Sequence, residues 1–316
     1  MSRGAPAVVI AAWRRPALLE RCLDAIAQQT LRPAQVIVAS SDTASTPVLE
    51  RFREALPLSV VPNPGRGPAA ARNRALDEVR AQYVAFTDDD CRPAPTWLAE
   101  LEQAAAPERI LTGTTVVDPG DGPRRSVLDR AFEAGSADAE RFSTCNVLYP
   151  TDLVRRLGGF DATFRFFGED TDLGIRAVEA GASAHHCDGA VVFHAVHRRT
   201  LRAAMGEAWR KGTLVLLLRR HPAVRAGQAG RLFLDRAHRQ TAIAIGALVL
   251  LPVTPFALAS PLPWLRDARY RVDYQVGRAS LPPRRQAREL ATLFLLDSIE
   301  LVGCAVASLR WATPLL

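Results

Sequence analysis

Residues 7–12 (AVVIAA) are an unbroken apolar run of strand length, and the segment after Pro16 sets Leu18, Leu19, Cys22, Leu23, Ile26 and Ala27 on one helical face. Residues 35–39 (QVIVA) form a second strand that ends in Ser40, Ser41, Asp42 and Thr43. A helical pattern over 46–55 and a short strand over 58–61 follow. In residues 62–79 Gly65 and Gly67 supply a turn, and Pro68 can open a helix because a first helical turn tolerates a missing N–H. Next come a buried strand that starts at Tyr83, a helix over 95–103 and a strand over 110–117. Alternation of this kind predicts an α/β fold with a mainly parallel sheet flanked by helices.

Residues 118–140 have no firm period and read as a long loop, a length that is usually functional or mobile. Residues 143–150 (STCNVLYP) read as a strand entering a helix over 151–157, which Gly158 and Gly159 stop. A helix opening near Glu169 offers Leu173, Ile175, Ala177 and Val178 as its apolar face. Residues 190–194 (AVVFH) are the last strand, with His194 at its end.

The C-terminal part follows another rule. Residues 240–265 carry no charge, which exceeds the roughly 20 apolar residues that span a bilayer, yet Pro252, Pro255, Pro261 and Pro263 interrupt them. Arginines lie densely on both flanks, and a single span would put one cluster outside, against the positive-inside tendency. A second apolar stretch, 290–309, has Asp297 and Glu300 on one face with Glu289 near it, the pattern of an interfacial or packed helix. The two stretches are expected to form a hairpin in or on the cytoplasmic leaflet of a membrane, with arginines at anionic head groups. A soluble subdomain packed on the sheet, or a dimer interface, is the alternative.

Composition narrows the class. Apolar residues at 48% and charged residues at 23% describe a folded chain, and 316 residues suffice for about two domains. The net charge is +7, and Lys211 is the only lysine among 40 basic residues, so arginine supplies the positive charge; that suits phosphates or an anionic membrane surface. Nucleic acid is not expected, since no motif or basic and aromatic interleaving supports it. Five dispersed cysteines without a CxxC pair read as reduced thiols in a cytosolic setting. The apolar stretch near the N-terminus is too short for a signal peptide.

The chemistry concentrates at residues 83–91 (YVAFTDDDC), where a buried strand delivers Asp88, Asp89 and Asp90 to its C-terminal edge. Three adjacent carboxylates repel one another, so an enclosed site needs a cation, and oxygen ligands suit Mg²⁺ or Mn²⁺, which would hold a diphosphate. A solvated acidic turn is the plainer reading. Arg72, Asn73 and Arg74 lie near the start of a helix, where anions bind readily. Glu169, Asp170 and Asp172 follow Phe164, Phe166 and Phe167, which suggests a carboxylate held partly out of water, as a general base requires; helix capping is the plainer reading. A lone histidine such as His194 is more often structural.

Taken in order, the first strand, GRGPAAARN, FTDDDC, GGFDATFRFFGEDTDLGIR and VVFH resemble the family 2 glycosyltransferases of GT-A fold over about residues 5–220. The resemblance implies an inverting, metal-dependent transferase that moves a sugar from a nucleotide-diphosphate donor to an acceptor hydroxyl, for which a glycan or lipid-linked acceptor is expected. Residues 1–200 would be the catalytic domain, 201–235 a helical linker and 236–316 a membrane-associating extension. By position, Asp170 would be the base, Asp90 the metal ligand with Asp88 and His194, and Asp42, Arg72, Asp88 and Asp89 the nucleotide-sugar side. Ser40, Ser41 and Asp42 stand where the family often has two acids, and AAWRRP replaces the more usual Thr-Tyr-Asn-Arg turn, which leaves the nucleobase open.

Two other classes compete. A catalytically silent nucleotide-sugar binding protein would not need both Asp90 and Asp170. A nucleotidyltransferase would carry a glycine-rich basic loop after the first strand, where this chain has none.

Overall fold

A strand covered on both sides sends alternate side chains into two different cores. In the computed structural model, which describes residues 4–63, 65–226, 236–250, 261–276 and 281–313, β1 (Ala7–Ala11) does this. Val8 and Ile10 pack with Leu19, Leu23 and Ile26 of α1 (Pro16–Ala27), whereas Ala7 and Val9 join the core on the other face. β2 (Gln35–Ala39), α2 (Thr46–Phe52), β3 (Leu58–Val61), α3 (Pro68–Leu76) and β4 (Tyr83–Asp88) complete the first half. A three-residue strand β5 (Cys91–Pro93), α4 (Trp97–Ala104), β6 (Arg109–Val117), β7 (Val147–Pro150), α5 (Thr151–Arg156), α6 (Glu169–Glu179) and β8 (Ser183–His194) form the second.

The strand order is β3-β2-β1-β4-β7-β6-β8-β5. β1 runs parallel to β2 and β4, β2 to β3, and β6 to β8, but β7 opposes both β4 and β6, and β5 opposes β8. The sheet is therefore mixed, with four parallel pairings and three antiparallel ones among the described residues. A parallel return needs a crossover, usually a helix, whereas residues 118–146 reach β7 with only two short 3₁₀ turns, Pro119–Asp121 and Ser136–Arg141.

Four further differences from the sequence pattern have local causes. β5 contains Pro93 and is too short to read. The first half of β8 is polar, SAHHCDG, so only its apolar end signalled a strand. β7 occupies only residues 147–150 of the apolar segment. Asn146, just before it, donates to the Thr114 carbonyl (3.0 Å) and the Ala190 carbonyl (2.8 Å) and accepts from Trp97 Nε1 (2.8 Å). These bonds staple a register shift between Gly113 and Thr114, where a Cβ on Gly113 would lie 2.3 Å from the Ala190 oxygen. In α6 the buried face is Leu173, Gly174 and Ala177, while Val178 is exposed.

The chain forms two compact units: Met1–Asp121 with Ala131–Ala195, and Gly122–Arg130 with Val196–Leu316. The second unit is helical: α7 (Leu201–Arg210), α8 (Leu214–Arg220), α9 (Pro222–Ala226), α10 (Arg236–Leu250), α11 (Leu262–Val276) and α12 (Pro283–Arg310). Much of the uncharged stretch 240–265 lies outside the described residues, as does 227–235 of the expected linker. Within the unit α12 turns its acids inward. Asp297 accepts from Trp264 Nε1 (3.1 Å) and from Arg271, and Glu300 pairs with Lys211 (2.7 Å) and faces His238 (3.1 Å). Glu289 accepts from Ser126 Oγ (2.8 Å) and the Val127 N–H (3.0 Å). The outward face of α12 instead shows Leu295, Val302, Val306 and Leu309. This is one helix that, among the described residues, is long and apolar enough to cross a membrane.

Candidate metal and donor site

The order of the sheet reverses at β1, which has β2 on one side and β4 on the other, so a crevice opens beyond the C-terminal ends of β1 and β4. The parallel register sets Ala11 beside Asp88, which brings the turn from β1 to α1 against the acidic triplet. In that turn Arg14 adopts a left-handed φ of 53°, uncommon for a residue with a side chain.

Each carboxylate of the triplet has its own partner. Asp88, at the crevice edge, accepts from Arg72 Nη2 (2.7 Å). Asp89 is fully buried and accepts from the Trp13 N–H (2.9 Å), Arg15 Nε (3.3 Å) and Arg15 Nη2. Burial, followed by the charge of Asp90, pushes the Asp89 carboxyl up to about 7 against the pull of Arg15. Asp90 is buried and pairs with Arg15 Nη1. Burial opposes the charge on Arg15, but the three aspartates outweigh it and hold the guanidinium firmly protonated.

β5 brings the far end of the sheet here. Its pairing sets Cys91 opposite His194, so the preceding residue, Asp90, meets the imidazole: Oδ1 lies 3.6 Å from Nε2. His194 Nδ1 is 3.0 Å from the Ala195 carbonyl, to which an Nδ1–H donates, and this bond orients Nε2 toward Asp90. Asp90 and His194 thus face each other across a distance at which both can donate electron pairs to one cation. Asp88, Asp90 and Cys91 also keep their ligand atoms within 4.8 Å of one another. Asp90 is common to both contacts, with His194 near one oxygen and Asp88 beside it, and oxygen and nitrogen donors of this kind suit a divalent ion.

Arg72 carries the frame across the crevice. It is buried on α3, gives Nη2 to Asp88 and gives Nη1 to Glu169 (2.9 Å), the first residue of α6. Asp170 follows, half-buried, accepting from the Thr171 N–H at 2.8 Å. Desolvation, then the charge of Glu169, pushes its carboxyl up to about 7; Arg72 pulls the other way. Asp172 instead turns inward to Arg176 (2.8 Å), a structural pair. Asp42, at the end of β2, accepts from the Ala44 N–H (3.1 Å) and Ser45 Oγ (3.0 Å) and so caps a short 3₁₀ turn.

The structure thus brings Asp88, Asp89, Asp90 and His194 together and ties Asp170 to them through Glu169 and Arg72. Nothing in the order of residues marks Arg15 as a partner of the triplet. Only the neighbouring of β1 and β4, which is a matter of strand order, joins them.

The family model for glycosyl transferase family 2 matches residues 7–165. The pre-mycofactocin glycosyltransferase of Mycobacterium tuberculosis is 32% identical over 209 residues, 61% of this chain and 44% of the relative, so the chain spans less than half of that relative's length. The succinoglycan biosynthesis protein ExoM of Rhizobium meliloti is 27% identical, covering 72% of this chain and 75% of the relative. Among solved structures, the mannosyltransferase PcManGT from Pyrobaculum calidifontis in complex with GDP-Man and Mn²⁺ superposes with a TM-score of 0.57 at 21% identity, covering 97% of this chain and 87% of that one. S. aureus TarS 1–349 in complex with UDP-GlcNAc gives 0.52 at 17% identity, over 98% and 92%. The fold is GT-A.

Proposed function

The chain belongs to glycosyl transferase family 2, and from that premise we propose that it moves a sugar from a nucleoside diphosphate to an acceptor hydroxyl in one inverting displacement. The observation that carries this reading is the buried Arg72 brace, because it holds the triplet and the helix of Asp170 on one frame. A displacement from the opposite face of the sugar needs such a fixed separation between base and leaving group.

The residues divide the work. Asp170 takes the acceptor proton; its carboxyl, pushed up to about 7, is basic enough to do so yet ionised at neutral pH in a substantial fraction of molecules. Asp88, Asp90 and His194 hold the divalent ion, and Asp88 also faces the nucleotide side. A bound Mn²⁺ or Mg²⁺ neutralises the charge that grows on the departing diphosphate. Arg72 supports the donor site through Asp88 rather than by touching phosphate, since both of its Nη atoms already serve carboxylates. Asp89, fully buried, holds the β1–α1 turn in place. Asp42 reaches the nucleotide only if it gives up its local cap. A silent binding protein would have no use for a carboxyl held like Asp170.

The test is to incubate the pure protein with Mn²⁺ and a panel of nucleotide sugars. Slow hydrolysis of one donor, with release of its nucleoside diphosphate, is expected. No binding and no hydrolysis across the panel, with Mn²⁺ or Mg²⁺, would overturn the assignment.

The acceptor proposed is a glycan or a lipid-linked carrier, in keeping with the name of the rhizobial relative. The support in this chain is α12, whose polarity is inverted: acids face inward in ion pairs and the outward side is apolar, as expected where lipid rather than water is the neighbour. Arg284, Arg285 and Arg288 near its start suit anionic head groups. The full chain is expected to float with vesicles containing phosphatidylglycerol, and Val302→Glu with Val306→Glu to remain at the bottom of the gradient. Equal behaviour of the two proteins would count against the membrane role.

A further inference from the structure

We propose that Arg15 couples uptake of the divalent ion to arrival of the donor. Its guanidinium holds Asp90 until a nucleoside diphosphate enters, and the ion joins the site together with the diphosphate rather than ahead of it. The inference rests on the function proposed above, which supplies the ion and the diphosphate.

Three observations lead there. First, the charge on Asp90 is already compensated: Arg15 Nη1 bonds Oδ2, while Oδ1 faces His194 Nε2 at 3.6 Å. A divalent ion that enters alone must either displace the guanidinium or sit beside it, and like charges a few ångströms apart repel even at the higher effective dielectric near a surface. Second, the two arginines of the site differ in freedom. The Arg72 side chain is 5% exposed and locked between Asp88 and Glu169, whereas that of Arg15 is 34% exposed over buried partners. The group with room to move is Arg15. Third, the move is small. Arg15 can keep Nε and Nη2 on Asp89 while Nη1 leaves Asp90, and Asp89 keeps the Trp13 N–H throughout.

A diphosphate changes the balance. Its oxygens accept a guanidinium more strongly than water does, so Nη1 gains a new partner as it releases Asp90, and Oδ2 becomes available to the ion. Asp90 is thus exchanged between two cations, and Arg15 acts as a positioning residue that makes one ligand's binding depend on the other.

Lysine separates this role from simple charge. A single ammonium in place of Arg15 can pair with Asp89 but cannot fork to Asp90 at the same time, so Arg15→Lys keeps a cation on the fully buried acid and removes the guanidinium bond to Asp90 Oδ2. Mn²⁺ binding by calorimetry, alone and with UDP or GDP present, gives the readout. For the natural protein a nucleotide is expected to tighten Mn²⁺ by about tenfold or more, and Mn²⁺ to tighten the nucleotide by the same factor, since coupling is reciprocal. In Arg15→Lys, Mn²⁺ alone should bind about tenfold tighter than to the natural protein, and the nucleotide should add little. Arg15→Gln should behave the same way if it folds. Unchanged or weaker binding of Mn²⁺ alone by Arg15→Lys overturns the coupling and leaves the transferase reading standing. Failure of the natural protein to bind Mn²⁺ with UDP, GDP or any other nucleoside diphosphate of the donor panel overturns both.

Discussion

Asp170→Asn is expected to lower turnover by about a hundredfold or more while donor affinity and fold persist, because the amide keeps the shape and removes the base. The carboxyl sits above its ordinary value for a reason that the substitution does not disturb. Desolvation dominates, Glu169 and Asp88 add like charge, and Arg72 and the Thr171 N–H oppose them. Below about pH 7 the natural enzyme should therefore lose about tenfold in kcat/KM per pH unit as Asp170 takes a proton, and it should level off above. The residual activity of Asp170→Asn should show no such slope. The stability sign runs the other way. Unfolded, the group titrates near 4, so ionising it costs the folded state more, and its contribution to stability declines as pH rises from about 4 to about 7. At pH 8 the Asn variant should melt no lower than the natural protein, which separates lost chemistry from lost structure. Near-normal turnover in this variant would move the base to a neighbouring residue.

Asp90→Ala is expected to abolish metal-dependent donor binding. Asp90 is buried, faces His194 and pairs with Arg15, so its loss removes the proposed central ligand and one carboxylate partner of Arg15. His194→Ala should do less: Mn²⁺ binding weakens by about 10- to 100-fold without unfolding, the range seen when a group supporting a metal site is removed. Calorimetry with and without EDTA ranks the three proteins. Unchanged donor affinity in Asp90→Ala would exclude its metal role, and a His194→Ala protein that loses stability but keeps its metal would make the histidine structural.

Much of the fold could be read from apolar runs, since β1, β2, β3 and β4 lie within a residue or two of where continuous hydrophobic segments place them. What escaped reading depends on partners remote in sequence. β5 is a strand only because β8 pairs with it, and the direction of β7 follows from a loop without period. In the site, the strand-end position of Asp88, Asp89 and Asp90 could be read from the run before them, whereas the three phenylalanines pointed only to one of Glu169, Asp170 and Asp172, and the family resemblance chose Asp170. Arg15 could not be placed, because its meeting with the triplet depends on β1 and β4 being neighbours. The family match ends at residue 165, so Asp170 and His194 stand on resemblance and on geometry.

The helical unit is discontinuous in sequence, and this bears on the order of synthesis. Residues 122–130 leave the ribosome long before Glu289, yet the Val127 N–H and Ser126 hydroxyl find their acceptor on that residue, 162 and 163 positions later. During translation this segment stays without its acceptor until nearly the whole chain is made, because contacts so distant in sequence close late. Cutting the chain after β8 would therefore not release a finished sheet domain. It would leave a loop whose buried Val127 and backbone donor had lost their cover, the kind of exposed surface that quality-control proteases recognise.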